Sequence, residues 1–333
     1  RERDHGDPIE LVLDDVERLA HEQQSVAVRR RVFSRELDRV GDASAGVDPQ
    51  EQDMRTTDRR ATNWIKVLAL LAASVLPSSL SQPARATDAP KTPGKYEIEY
   101  ARERGSKELC EALPGRIFAK TEQGAECIAY FVTKGQEDQR QAVLFFDGDV
   151  NLEKYLKPHE RAVYFKSIKK ALQSWADVFK VRYVFVSRVG VNGSSGNHGD
   201  RRSANESRVM NVFIDELKQS LRLERLVLAG QSGGSTISAS LLTFGRTDVG
   251  CAILGSGAYE VNEMLMDMNA ERGVKVSRKA LERYTYDPSV HVETIKKDSA
   301  RRVLFLGDPE DTKTPFEQQV RFAEAVRGAG VKA

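Results

Sequence analysis

The sequence predicts an α/β protein built on a mostly parallel sheet with helices on both faces. Three observations lead there. Short apolar runs alternate with amphipathic stretches of helical spacing. The runs are nearly continuous in Val, Ile, Leu and Phe, as strands buried on two faces must be. Polar or glycine-rich segments follow the carboxyl ends of these runs, the edge at which ligand sites form in such sheets.

The elements follow in order. CIAYFVT (127–133) and AVLFFDG (142–148) are β-rich and are separated by the polar turn KGQEDQRQ. Phe165, Ile168, Leu172, Trp175 and Phe179 recur at helical spacing and share one face. VRYVFVSR (181–188) is a strand that runs into the loop VGVNGSSGNHGDRR. Ser203 and Glu206 form an S-x-x-E capping box. It opens a helix whose apolar stripe is Val209, Phe213, Ile214, Leu217 and Leu221. LERLVLAG is the next strand, GGSTISASLLTFG the next helix, and VGCAILGSG a further strand. Residues 258–300 are more polar, helical in pattern and cap-like in position. RRVLFLGD is the last clear strand. PFEQQVRFAEAVRGAG is the last helix, with Pro315 at its start and Gly328 or Gly330 at its stop.

The composition is that of a globular protein, 40% hydrophobic and 30% charged over 333 residues. A formal net charge of +2 gives no reason to expect a nucleic-acid surface. There is no zinc-type Cys/His spacing, no Walker-type phosphate loop and no apolar stretch long enough to span a bilayer. No metal or organic cofactor is expected. Residues 54–86 have the three parts of a secretory signal peptide. Arg59, Arg60 and Lys66 are the basic flank, Val67 to Leu76 the apolar core, and Ala84-Arg85-Ala86 the cleavage site. The expected destination is the periplasm or the exterior. Translation is expected to start at Met54, with residues 1–53 upstream read-through or a disordered extension. Residues 87–124 read as linker and N-terminal segment, and 125–333 as the main domain. In an oxidising compartment Cys110 and Cys127 are expected to pair, while Cys251 reads as a small core residue.

The stretch LVLAGQSGGSTIS carries the chemistry. G-x-S-x-G between a strong strand and a helix is a sharp turn that exposes the serine hydroxyl, here Ser232. The N–H of Gly233 then points at the same spot as an oxyanion donor. The second donor is expected from the loop LFFDGDV, as the amide of Asp149. An anionic side chain there requires that Asp149 point away or be neutralised, or that another residue serve.

The segments FFDGDV, SRVGVNGSSGNHGDRRS, GQSGG and GDPEDTKTP, in this order, resemble exported α/β-hydrolases of the prolyl-oligopeptidase-like group over about residues 125–333. The resemblance implies hydrolysis of an ester or peptide bond of a small substrate through a Ser-Asp-His triad and an acyl-enzyme. It picks Asp311 as the acid, ahead of Thr314-Pro315, with Asp308 and Glu310 as rivals. It also implies a histidine after the acid. Of His5, His21, His159, His198 and His291, none follows Asp311. His198 is a pocket residue in this reading, beside Arg201 and Arg202. VKA at 331–333 reads as the start of one more strand, so the final strand and the histidine loop are expected beyond Ala333. Two other readings on the same fold stay open: a catalytically silent binding protein, and a lipase or acyltransferase with Met264, Leu265, Met266 and Met268 as a greasy patch.

Overall fold

A computed structural model describes residues 106–149, 158–311 and 313–333, the side chains of 158–162 excepted. The signal-like segment and everything else before Ser106 lie outside the described residues. Among the described residues seven strands form one sheet: β1 (Arg116–Thr121), β2 (Gly124–Val132), β3 (Gln141–Phe146), β4 (Arg182–Val186), β5 (Arg225–Gln231), β6 (Val249–Gly255) and β7 (Arg302–Leu306). Their spatial order is β1-β2-β4-β3-β5-β6-β7. The β1–β2 and β2–β4 pairs are antiparallel, and all pairs from β4 to β7 are parallel. This is the α/β-hydrolase sheet that the sequence predicts.

The sheet starts earlier than residue 125. β1 lies within the segment read as linker, because its alternation of Arg116 and Lys120 with Ile117 and Ala119 suits a half-exposed edge strand rather than a buried one. Before it, α1 (Lys107–Glu111) is capped by Ser106 and tied to β2 by the Cys110–Cys127 disulfide, whose Cα atoms are 5.6 Å apart. Cys251 is buried in β6 as a free thiol.

The remaining helices are α2 (Pro158–Phe179), α3 (Ala204–Leu221), α4 (Gly233–Thr243), α5 (Val261–Glu271), α6 (Arg278–Tyr284) and α7 (Phe316–Gly328). Strand alternation puts them on two faces. Val184 and Val186 of β4 join the core formed with Met210, Phe213, Ile237 and Leu241 of α3 and α4. Tyr183 and Phe185 point the other way, where Trp175 and Phe165 of α2 meet them at ring separations of 6.0 and 6.3 Å. Beyond α7, Lys332 pairs in parallel with Arg302, and its carbonyl accepts the Val303 N–H at 2.8 Å. The chain therefore returns onto the outer edge of β7. Among the described residues no helix is long and apolar enough to cross a membrane.

Register aligns the carboxyl ends. Phe146 pairs with Gly230, Gly230 with Leu254, and Gly255 with Leu306. The segments that follow β3, β5, β6 and β7 leave the sheet side by side, and the residues singled out in the sequence lie on three of them.

Candidate active site

Ser232 closes β5 and opens α4. Its backbone has φ +53° and ψ −122°, a conformation that costs an L-residue of order 1–3 kcal/mol. Steric exclusion explains the flanking glycines. A Cβ at Gly230 would lie 2.4 Å from the Gly234 carbonyl oxygen, and one at Gly234 would lie 2.2 Å from the Phe146 oxygen. The Ser232 N–H donates to the Gly255 carbonyl at 2.8 Å and fastens the turn to β6. The side chain is half-buried and does not cap α4. The helical ladder starts with the Thr236 N–H bonding the Ser232 carbonyl at 3.1 Å. The amides of the first turn, Gly233 foremost, are left as orphan donors at the positive end of the helix.

The loop after β3 packs onto this turn. A Cβ on Gly148 would lie 3.3 Å from Ser232 Cβ. Asp147 accepts the Gly148 N–H at 2.8 Å and the Tyr164 hydroxyl at 2.7 Å. Burial nevertheless pushes its pKa above the ordinary carboxylate value. The carboxylate of Asp149 lies against Gly233, where a Cβ would come 2.0 Å from Oδ1. Arg188 Nη1 donates to that Oδ1 at 2.5 Å, and Arg202 Nη2 donates to Oδ2. Burial works to raise the Asp149 pKa, but Arg188 and Arg202 outweigh it and hold the group well below the usual range. Asp149 is therefore a neutralised anion. Its amide has no hydrogen-bond partner among the described residues.

Arg188, Arg202 and Glu206 are residues that the sequence reading did not place around Asp149. Arg188 is 2% exposed at the end of β4 and grips Glu206 Oε1 through Nε at 3.1 Å and Nη2 at 2.8 Å. This alters the predicted capping box. Ser203 Oγ accepts the Glu206 N–H at 3.1 Å as expected, but the Glu206 carboxylate takes the Arg202 N–H at 2.6 Å rather than that of Ser203. The signal available in the sequence was an arginine closing an apolar strand, since a buried guanidinium demands carboxylate partners.

The loop that carries His198, Arg201 and Arg202 is held on β2. Ser195 Oγ accepts the Cys127 N–H at 2.7 Å and donates to Glu126 at 2.6 Å, and Ser194 Oγ accepts the Ala129 N–H at 2.9 Å. Burial lowers the pKa of His198 to about 4. Asp149 opposes this shift, while Arg188, Arg201 and Arg202 reinforce it. The ring is neutral at pH 7, and its Nδ1 is buried without a hydrogen-bond partner among the described residues. His159 is in the first turn of α2, and its side chain lies outside the described residues.

Residues 258–300 fold as α5, α6 and the 3-10 turns Pro288–Thr294, and they dock on this same loop. Tyr286 N–H donates to the Arg202 carbonyl at 3.1 Å, and Ser203 bridges to Thr285. The Tyr286 ring stacks between Phe244 and His291, with 4.7 Å separations on each side. Phe244 ends α4, about 18 Å along the helix from Ser232. His291 is thus a packing residue at the far end of α4.

Asp311 lies in the loop after β7. Its Oδ1 accepts the N–H groups of Lys313 at 2.9 Å and Thr314 at 3.1 Å, and its Oδ2 accepts the Thr314 hydroxyl at 2.5 Å. The rivals Asp308 and Glu310 are exposed, while Asp311 is half-buried. Asp308 serves the turn, accepting the Glu310 N–H on its side chain and the Asp311 N–H on its carbonyl, both at 2.9 Å. Two strand spacings, about 10 Å, separate the β5 and β7 edges from which Ser232 and Asp311 rise. An imidazole bonded at both nitrogens spans roughly 8 Å between its partner oxygens.

No protein-family model and no curated protein matches the chain. Solved structures do match at low identity. One is the Pyrococcus horikoshii acylaminoacyl peptidase, at 17% identity and a TM-score of 0.46 over 65% of this chain and 35% of that one. Est1E from Butyrivibrio proteoclasticus matches at 14% identity and a TM-score of 0.45, over 63% and 84% of the two chains. The Pyrococcus furiosus esterase Pf2001 matches at 14% identity and 0.43, over 68% and 84%. This chain thus spans about a third of the length of the peptidase and most of the length of the two esterases. Its own strand order, with a strained serine at the end of the middle parallel strand, identifies the fold as that of the α/β-hydrolases.

Proposed function

We propose that the protein is an exported serine hydrolase that cleaves an ester or peptide bond. Ser232 Oγ attacks the carbonyl carbon, and its proton passes to a histidine that follows Asp311 in chain order. Asp311 orients that histidine and stabilises its charge. The Gly233 N–H, with the Asp149 N–H, receives the developing oxyanion. Collapse expels the alcohol or amine, which takes the proton back. Water then repeats the sequence on the acyl-enzyme and releases the acid. The histidine belongs on a loop after an eighth strand, which the parallel pairing of Lys332 with Arg302 would begin beside β7. Export rests on the signal-like residues 54–86, and the Cys110–Cys127 disulfide is compatible with it.

The observation that carries the reading is the conformation of Ser232, with φ +53° and ψ −122° and a hydroxyl not spent on capping α4. Strain of this kind persists only where surrounding structure imposes it, and it gathers at functional sites. The test is a fluorophosphonate probe on the full-length protein. Labelling should occur at Ser232, vanish in Ser232→Ala and fall by orders of magnitude in Asp311→Asn. A full-length protein that folds but stays unlabelled is a binding protein on this fold, and the reading is then wrong.

A further inference from the structure

We infer that the site selects substrates carrying a carboxylate close to the scissile carbonyl, and that Arg201, backed by Arg202, binds that group. The inference rests on the hydrolase reading of Ser232 and names its substrate class.

Charge accounting beside the turn supports it. Three cations, Arg188, Arg201 and Arg202, share two carboxylates, Asp149 and Glu206. Arg188 lies on both carboxylates, and Arg202 takes the remaining oxygen of Asp149. Among the described residues Arg201 has no carboxylate that it does not share. Its Nε is 3.6 Å from Asp149 Oδ2, beyond hydrogen-bonding reach, and its Nη1 makes a long 3.3 Å bond to the His198 carbonyl. Its neighbour Asp200 takes the Tyr284 hydroxyl at 3.2 Å and forms no ion pair with it among the described residues. Two buried nitrogens in the same cluster, Arg202 Nε and His198 Nδ1, have no hydrogen-bond partner among the described residues.

Position and exposure single out Arg201. Asp149 faces Gly233 with one carboxylate oxygen and Arg201 with the other, so a single carboxylate separates this guanidinium from the turn that holds the nucleophile. The Arg201 side chain is 37% exposed, against 2% for Arg188 and 12% for Arg202. A planar guanidinium with free edges takes a carboxylate in two parallel hydrogen bonds. The fitting substrates are monoesters of short dicarboxylic acids, esters of carboxylated alcohols or phenols, and peptides with an acidic or terminal carboxylate next to the cleaved bond.

The experiment compares matched esters on the full-length protein. Mono-4-nitrophenyl glutarate places the carboxylate on the acyl side, with 4-nitrophenyl butyrate as its neutral partner. 4-Acetoxybenzoate places it on the leaving group, with methyl 4-acetoxybenzoate as the neutral partner. One of the two anionic esters should show the higher kcat/KM, by roughly 10–100-fold. Arg201→Gln should collapse that ratio, Arg201→Lys should restore part of it, and added salt should shrink it. A binding arm uses Ser232→Ala with monomethyl glutarate and dimethyl glutarate in calorimetry. The monoanion should bind tighter, and Arg201→Gln should remove the difference. Neutral esters turned over with no anionic preference in either pair would overturn the inference and leave the hydrolase reading standing. No turnover of any ester, with the monoanion still preferred through Arg201, would overturn the hydrolase reading and keep the anion site.

Discussion

Replacing Arg188 with Met removes the cation from the centre of the Asp149–Arg188–Glu206 cluster and leaves the volume nearly filled. Among the described residues Glu206, 1% exposed, then keeps only the Arg202 N–H on its other oxygen, and Asp149 keeps Arg202 and the looser Arg201 contact at 3.6 Å. Breaking a buried pair from one side costs about 3–5 kcal/mol, because the abandoned carboxylate stays desolvated. For an ordered region of this size that corresponds to a fall in Tm of roughly 6–20 °C. Thermal unfolding of the single variant should show this fall. Arg188→Met combined with Glu206→Leu should regain part of it, since an apolar replacement of both partners has no charge left to strand. Activity should not recover with stability. The double variant still lacks the guanidinium that neutralises Asp149 beside Gly233, where a freed negative charge opposes the oxyanion. A single variant that melts like the parent, or a double variant that melts below the single one, would refute the reasoning.

Three further outcomes follow from named contacts. Gly234→Ala places a Cβ 2.2 Å from the Phe146 oxygen and should cost several kcal/mol or abolish soluble expression, whereas Gly328→Ala, with nothing within 4 Å, should be neutral or stabilising by up to about 1 kcal/mol in chemical denaturation. Burial lowers the pKa of His198 in the folded protein to about 4 from its ordinary 6.5, so the unfolded chain binds more protons between these values and stability falls as pH drops from 6.5 to 4. After allowance for solvent screening the effect is at most about 2 kcal/mol, and His198→Gln should flatten that part of a stability–pH profile. Reduction of Cys110–Cys127, which closes a 17-residue separation, should cost about 3 kcal/mol in denaturant unfolding.

The strained turn at Ser232 was legible in the sequence because its cause is local. Gly230 and Gly234 are required by backbone atoms that lie within a few residues or directly across the strand end. The parallel strands were legible for a similar reason, since burial on both faces writes continuous apolar runs. β1 was not, because it is the outermost strand among the described residues and its polar residues read as linker. The ion cluster was not legible either. It joins Arg188 to Asp149 across 39 residues and to Glu206 across 18, and no periodicity relates such positions. The capping box shows the boundary between the two cases. Its Ser203 half follows from local rules, and its Glu206 half was redirected by a tertiary partner.

The loop from 189 to 203 has little regular structure of its own, and its fixed shape comes from three directions. Ser194 and Ser195 bind it to β2 at the disulfide-bonded Cys127, Glu206 and Arg188 clamp its end at the start of α3, and Thr285 and Tyr286 of the insertion close over Arg202 and Ser203. Each hold comes from a different part of the chain, and each uses polar partners that water would otherwise solvate. Their joint effect is to present Arg201 and His198 on a backbone that does not have to be ordered when substrate arrives. A flexible loop would offer the same side chains, but much of the binding energy would go into fixing them. Preorganisation of this loop therefore matters to the site as much as the strained serine does. It also ties substrate selection to the edge strands and the insertion, two regions that contribute no reacting atom.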